Sequence, residues 1–427
     1  MYKPSAALFH RLHTPYYCYR YQNIFLLSFA RRASTLKKRK EALMKFSLPK
    51  DIFQDSILPM LGTVSNKNTI SAIEGILIET TGKDTVELSS YDMNKGMRIT
   101  LHNVHIEREG SYIVNAQRLT QTVRVLPDGD DITVDVDEKC NLTLSSGKSS
   151  FSMFVMKGEE FPNLPELTTD KGFSVSCGIL RKMIGKVSHS VAEQDSRPML
   201  CGAFFKIGND GMEVVSCDSY TLSVCRQTCE ISYLGQENEE QLSFIIPGHA
   251  LSEISKILPD SDKEKASVYL SRKHAIVQLG DMIFFTRTID SEYIEYKRLM
   301  PKDNDIVVTV DKERFLDGLE RANIIAEEKI QGSGKSYVKI GIEDNFLSLT
   351  SSSVNGKVYD EMDCVHEGGN LEIGFNCRYL INSVKAAEGE NLKITCKSPT
   401  QAITIEPTDK DGEFSFFYMI LPVRMNG

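Results

Sequence analysis

From residue 44 onward the chain alternates between two periodicities. Runs with apolar residues at every second position, rich in β-branched side chains, predict strands; runs with apolar residues at i, i+3 and i+4 predict helices. In chain order they give a strand at 45–48, a helix from about 50 to 61, and strands near 73–79, 85–90 and 96–101. The order then recurs: a strand at 111–114, a helix over 115–126, and strands near 132–136, 141–145 and 149–156. Each recurrence is one βαβββ half-module, and two make a domain.

The whole set is written three times. The openings Lys-Phe-Ser-Leu (45–48), Gly-Phe-Ser-Val (172–175) and Val-Val-Thr-Val (307–310) each lead into a helix. Further second helices follow Ile246 and Phe375. Three late apolar stretches, 151–165, 283–301 and 416–425, close on or around a proline, which cannot donate to a central ladder. A spacing near 130 residues means domains rather than stacked solenoid units. The expected fold class is α+β, with domains at 44–168, 169–302 and 303–427, the last carrying a C-terminal tail.

Composition fits this picture. The chain has 427 residues, 41% hydrophobic and 25% charged, which excludes disordered and fibrous classes and suits about three cores. The longest apolar runs fall far short of the ~20 residues that span a bilayer. Ten scattered cysteines, with no Cys-x-x-Cys, suggest reduced thiols and a cytoplasmic location, and no metal or cofactor site is expected. His102 and His105 lack a third ligand and read as a solvated strand edge.

The net charge of -8 hides an asymmetry: residues 1–43 carry nine bases and one acid, leaving 41 bases against 57 acids in the rest. The basic stretch is expected to be a disordered extension, or to lie upstream of a true start at Met44; an organellar presequence is the competing reading. The acidic remainder should be repelled by nucleic acid unless it carries a local basic surface. Such a surface is foreshadowed on the helices. His249 and Lys256, Arg314 and Arg321, Arg378 and Lys385, and Lys182 and His189 are each seven residues apart, with Arg118 and Arg124 close to that register and Lys186 one turn after Lys182. Without interleaved aromatics or a recognition-helix motif, the implied contact is with duplex phosphates, without sequence preference. Two other readings stand beside this one. Gly332-Ser-Gly334-Lys335-Ser336 resembles the end of a P-loop and would suit a nucleotide-binding enzyme, although Lys329 stands where the first glycine belongs. A monomeric DNA-binding module would also use basic helices.

Met44-Lys-Phe, Glu160-Phe-Pro-Asn-Leu164, Glu372-Ile-Gly-Phe-Asn376 and Leu421-Pro-Val-Arg-Met425, in this order, resemble the bacterial DNA polymerase III β sliding-clamp family over residues 44–427. The resemblance implies a non-catalytic processivity factor: a head-to-tail homodimer forming a six-domain ring, helices inside and sheet outside, around double-stranded DNA. By match, Phe151 and Met153 would meet Ile324 and Ile325 at the dimer interface. The DNA-facing positions would include Lys67, Arg118, Arg124, Lys182, Lys186, Gln194, Arg197, Lys256, Arg314, Arg321, Arg378 and Lys385. A pocket for the short peptides of the polymerase III α subunit, the clamp loader and other partners would be formed by Leu200, Asp218, Leu222, Arg298, Leu299, Tyr379, Pro422, Val423, Arg424 and Met425. The chain departs from the family at Ser219-Tyr220-Thr221, where relatives often read Gly-His-Arg, and in carrying Asn426 and Gly427.

Overall fold

The computed structural model describes residues 43–65, 71–235, 241–327, 337–408 and 413–425. The first unit contains β1 (Lys45–Pro49), α1 (Lys50–Ile57), β2 (Gly75–Thr81), β3 (Thr85–Tyr91), β4 (Lys95–Leu101) and β5 (His105–Arg108). It continues with β6 (Ser111–Asn115), α2 (Ala116–Val125), β7 (Asp131–Val136), β8 (Asn141–Ser146), β9 (Ser149–Phe154) and β10 (Met156–Lys157). The second unit runs β11 (Lys171–Ser176), α3 (Cys177–Val187), β12 (Gly202–Gly208), β13 (Gly211–Cys217), β14 (Thr221–Thr228), β15 (Ser232–Gly235), β16 (Gln241–Pro247), α4 (Gly248–Ile257), β17 (Lys265–Ser271), β18 (His274–Leu279) and β19 (Met282–Arg287). The third runs β20 (Ile306–Asp311), α5 (Lys312–Ala326), β21 (Val338–Glu343), β22 (Phe346–Ser352), β23 (Lys357–Asp363), β24 (Val365–Glu367), β25 (Leu371–Phe375), α6 (Cys377–Ala386), β26 (Asn391–Cys396), β27 (Ile403–Pro407) and β28 (Phe414–Ile420).

The predicted half-modules are therefore present, with two differences. The helix expected over 50–61 stops at Ile57, and Pro59 opens a 3-10 turn, Pro59–Thr63, in its place. A short strand absent from the expected pattern (β5, β15 or β24) links the half-modules of each unit and adds to the edge of β1, β11 or β20.

Each strand-helix lead crosses between sheets: β1 pairs with β7, whereas the strand after α1, β2, pairs with β6 and β3. Among the described residues four antiparallel sheets result. Two of them are shared between units. A ten-stranded sheet joins the first and second units where β4 pairs β19, and a nine-stranded sheet joins the second and third where β14 pairs β28. The five-stranded sheet ends in β9 and the four-stranded sheet in β23.

The helices pack in one continuous row, α1 on α2, the 3-10 turn after α1 on α4, α4 on α3, α3 on α6, and α6 on α5. The main apolar clusters fill the space between this row and the sheets. Linkers seal the opposite face: Phe161 and Leu167 lie buried with Phe285, and Tyr293 and Tyr296 with Met419. One capping device recurs in all three units. Lys50 Nζ donates to the Leu126 carbonyl at 2.5 Å, Arg181 to that of Leu258 at 3.3 Å, and Lys312 to that of Ala387 at 2.8 Å. In each case a cation from the unit's first helix satisfies the carbonyl at the end of its second, where the helix dipole favours positive charge.

Candidate functional site

The helix row and the loop at Arg197 carry the basic residues, but most are not free charges. Arg314 lies 3.6 Å from Asp363, Lys385 2.7 Å from Glu320, Lys256 2.9 Å from Glu253 and Arg197 3.0 Å from Asp195. Arg321 is paired with Asp360 and Arg378 with Glu327. The Arg197 guanidinium and backbone N–H, both bonded to Asp195, hold that carboxyl at about 2. Arg118 and Arg124 are exposed and make no side-chain ion pair among the described residues, and Gln194 is exposed. Lys67 and the P-loop-like stretch 332–336 lie outside the described residues.

Two expectations on α3 need correction. Lys186 is only 13% exposed, bonded to the Ala386 carbonyl at 2.6 Å and to Glu388 at 2.8 Å, so it fastens the second unit to the third rather than presenting charge. Burial lowers its pKa, against the opposing pull of Glu388. Lys182, 3.0 Å from the same carboxylate, also sits over the Phe414 ring at 3.6 Å. His189, read by its spacing as sharing a face with Lys182, follows the helix in a 3-10 turn and is enclosed at this seam. Its Nε2 lies 3.1 Å from Ser223 Oγ and 3.4 Å from Ser383 Oγ, and its ring meets Tyr418 edge-on. Burial, with Lys186 nearby, lowers its pKa to about 4 and keeps it neutral.

The predicted peptide-pocket residues converge at the same seam. Leu200 and Leu222 are buried in one cluster with Tyr293 of the linker and Met419 of β28. Asp218 is occupied by its own turn, accepting from the Tyr220 and Thr221 backbone N–H groups at 2.9 and 2.6 Å. Ser219 there has φ 79°, a conformation that is uncommon outside glycine, and its hydroxyl accepts from Arg197. The next residue, Tyr220, is 57% exposed and stacks on Tyr379. Beyond β28 the tail runs alongside: the Leu421 N–H donates to the Tyr220 carbonyl at 2.9 Å and the Val423 N–H to the Gly374 carbonyl at 2.8 Å. The tail approaches Gly374 closely: a Cβ there would fall 2.8 Å from Met425 Cγ and would displace that side chain. Pro422 is half-buried, Arg424 exposed. Arg298 and Leu299 are exposed, on the linker whose Tyr296 is buried in the same cluster. The fold thus brings the buried Leu200 and Leu222, the stacked Tyr220 and Tyr379 rings and the C-terminal tail to one seam, with Arg298 and Arg424 exposed on the linker and the tail, a chemistry suited to an extended apolar peptide.

The remaining predicted residues lie on the edge strand β9 and near the end of helix α5. On β9, Phe151 is 41% exposed and Met153 half-buried; on α5, Ile324 is 71% exposed, while Ile325 is half-buried toward Gly356. Phe154, Tyr359 and Val354, at 81%, 60% and 76%, are equally unprotected and were not foreseen; the alternation of 357–363 was the only sequence signal, for Tyr359 alone. Among the described residues there is no cluster of metal-ligating side chains and no helix long and apolar enough to cross a membrane.

Comparison with known proteins covers nearly all of the folded chain. Models of the N-terminal, central and C-terminal domains of the DNA polymerase III beta subunit match residues 44–165, 174–295 and 297–424. The Beta sliding clamp of Staphylococcus epidermidis is 26% identical over 391 residues, spanning 90% of this chain and all of that protein. The beta subunit of Streptococcus pyogenes DNA polymerase superposes with TM-score 0.79 at 26% identity, over 89% of this chain and all of that one. A putative DNA polymerase III beta subunit from Eubacterium rectale gives TM-score 0.79 at 25% identity, over 90% of this chain and all of that one.

Proposed function

We infer assembly and partners from the premise that the chain belongs to the DNA polymerase III beta subunit family. It is a DNA sliding clamp, a non-catalytic processivity factor in DNA replication. Two copies close head to tail into a ring around duplex DNA, acting in the cytoplasm, with the chain dividing at about residues 168 and 302 into its three domains.

One observation carries the closure. Both junctions inside the chain pair the last strand of one unit's first half (β4 or β14) with the last strand of the next unit's second half (β19 or β28). The remaining strands of these two kinds, β23 and β9, each stand at the end of a sheet without a partner on one side. An unpaired edge invites pairing, and a second copy removes both edges at once. Five strands and four then make a nine-stranded sheet, as at the junction of the second and third units.

Arg118, Arg124 and the acid-paired bases of α4, α5 and α6 line the hole, together with Gln194. Their charge is largely balanced by neighbouring carboxylates, which supports a grip that is topological rather than adhesive. The surface around Tyr220, Tyr379 and the tail takes the clamp-binding peptides of the polymerase III α subunit, the clamp loader and other partners. Light scattering at micromolar concentration tests the closure: the particle mass should be twice that of one chain, and a monomer would contradict it.

A further inference from the structure

The linker between the second and third units carries Arg298 and Leu299, and it is fixed at both ends. The Ile289 N–H donates to the Ile245 carbonyl at 3.1 Å, and the Asn304 side-chain amide donates to Thr395 Oγ1 at 3.0 Å. Between them lies one 3-10 turn, Tyr296–Arg298, in which the Arg298 N–H donates to the Glu295 carbonyl and the Leu299 N–H to that of Tyr296, both at 3.0 Å. The first residue of the turn is buried, whereas Arg298 and Leu299 stand exposed. What holds Tyr296 therefore sets where these two side chains stand.

Tyr296 is held by β13. Its hydroxyl donates to one carboxylate oxygen of Glu213, and Arg226 Nε of β14 donates to the other. Glu213 lies two positions before Val215, which belongs to the cluster enclosing Tyr296, so it faces the linker. In the ladder it stands between Lys206 and Arg226. Its side chain is only 12% exposed. Burial alone would raise its pKa, but the hydrogen bonds from Tyr296 and Arg226 outweigh that and hold the carboxyl below its usual range. The tyrosine thus donates to an anion, a bond about twice as strong as one between neutral groups.

The repeat shows that this link is particular to the second unit. Ile113, Ile245 and Gly374 each lie two residues before the N-cap of a second helix. The ladders lead from them through Leu77, Phe204 and Lys339 to Ser89, Val215 and Thr350. Two residues earlier stand Glu87, Glu213 and Ser348, one position of the repeat. Glu87 is held by Arg98 of β4 at 3.2 Å, and Ser348 donates to the Gly341 carbonyl at 3.5 Å. Among the described residues only Glu213 accepts from a linker side chain, and that linker is the one bearing Arg298 and Leu299.

We propose that Glu213 is a positioning residue of the partner-peptide site, setting the placement of Arg298 and Leu299 through Tyr296 without touching the peptide itself. The proposal rests on the reading that this surface takes clamp-binding peptides.

The probe is a fluorescein-labelled peptide carrying the clamp-binding segment of the polymerase III α subunit, titrated with the full-length chain and read by anisotropy. Y296F and E213A should each weaken binding about fivefold, the loss of one hydrogen bond to a charged group acting through the turn. Y296F removes a single oxygen and carries the test should E213A fail to fold. In an R298A/L299A background, where the turn has nothing left to place, Y296F should change affinity less than about twofold. Hydrogen exchange in the free chain reads the turn itself: Y296F should speed exchange over residues 296–300 and leave β14 unchanged. Wild-type affinity for Y296F, an equal loss in both backgrounds, or unchanged exchange overturns the positioning role and leaves the site in place. An R298A/L299A chain that binds the peptide as tightly as wild type overturns the reading of the site, and the proposal with it.

Discussion

The rings of Tyr220 and Tyr379 stack with centroids 5.7 Å apart and planes 19° from parallel, one on the second unit and the other on the third. The tail begins beside them, since Leu421 bonds to the Tyr220 carbonyl. A peptide bound beside these rings would meet an aromatic wall that depends on two units keeping their relative position. Tyr379→Ala should weaken binding of a clamp-binding peptide about tenfold, or about 1.4 kcal/mol. Fluorescence anisotropy with a labelled peptide would read this, and unchanged affinity would place the binding site elsewhere.

Glu388 gathers two cations from the neighbouring unit, Lys186 at 2.8 Å and Lys182 at 3.0 Å. Removing the carboxylate leaves Lys186 largely enclosed without its counter-charge, whereas removing Lys182 leaves the better-buried pair intact. Glu388→Gln is therefore expected to cost about 1 to 2 kcal/mol, the partial exposure of the carboxylate reducing the penalty of a fully buried pair. Lys182→Met should cost less than about 1 kcal/mol. Urea denaturation of the two variants gives the order.

The seam also predicts a pH dependence. His189 is held neutral with its pKa lowered from about 6.5 to about 4, so between these values the unfolded chain binds a proton that the folded chain refuses. Its contribution is fully present above about pH 6.5 and is lost as pH falls toward 4, by up to about 3 kcal/mol. Hydrogen exchange around Ser188–Ser190 should accelerate over that interval, and His189→Gln should flatten the dependence. A seam equally protected at pH 4.5 and 7 would count against it.

Carboxylates that shadow the basic helices make a prediction about DNA. Glu253→Gln and Glu320→Gln free Lys256 and Lys385 without adding any base. If those lysines face the duplex, retention on linear DNA at low salt should rise, and the dependence on log salt should steepen by up to about one unit per freed lysine. An unchanged salt slope would mean that they point elsewhere.

Much of this was readable in the sequence. Alternation and helical spacing located nearly every element of the first unit, and the repeat carried that pattern to the other two, because each strand has one face toward a helix and one toward water or a linker. The three proline-closed stretches marked β9, β19 and β28, the strands that join one unit to the next or stand open to do so. The fate of individual charges was not readable. Lys182 and Lys186 share a helix face with each other as their spacing suggests, but only the docking of the third unit decides that this face meets Glu388 instead of solvent. His189 failed for a related reason: the helix ends at Val187, so a count of seven no longer described a helical face. Tyr220 was visible only as a departure from the family pattern, and its stacking on Tyr379 depends on contacts between residues far apart in the chain.

The central claim is that this clamp is held on DNA by enclosure. The direct measurement is to load it onto nicked circular plasmid, isolate the complex, and cut the plasmid once. Clamp bound to the circle should be released as soon as the ends are free, at salt concentrations where the uncut circle retains it. Clamp that stays on the cut DNA as firmly as on the circle would contradict the account.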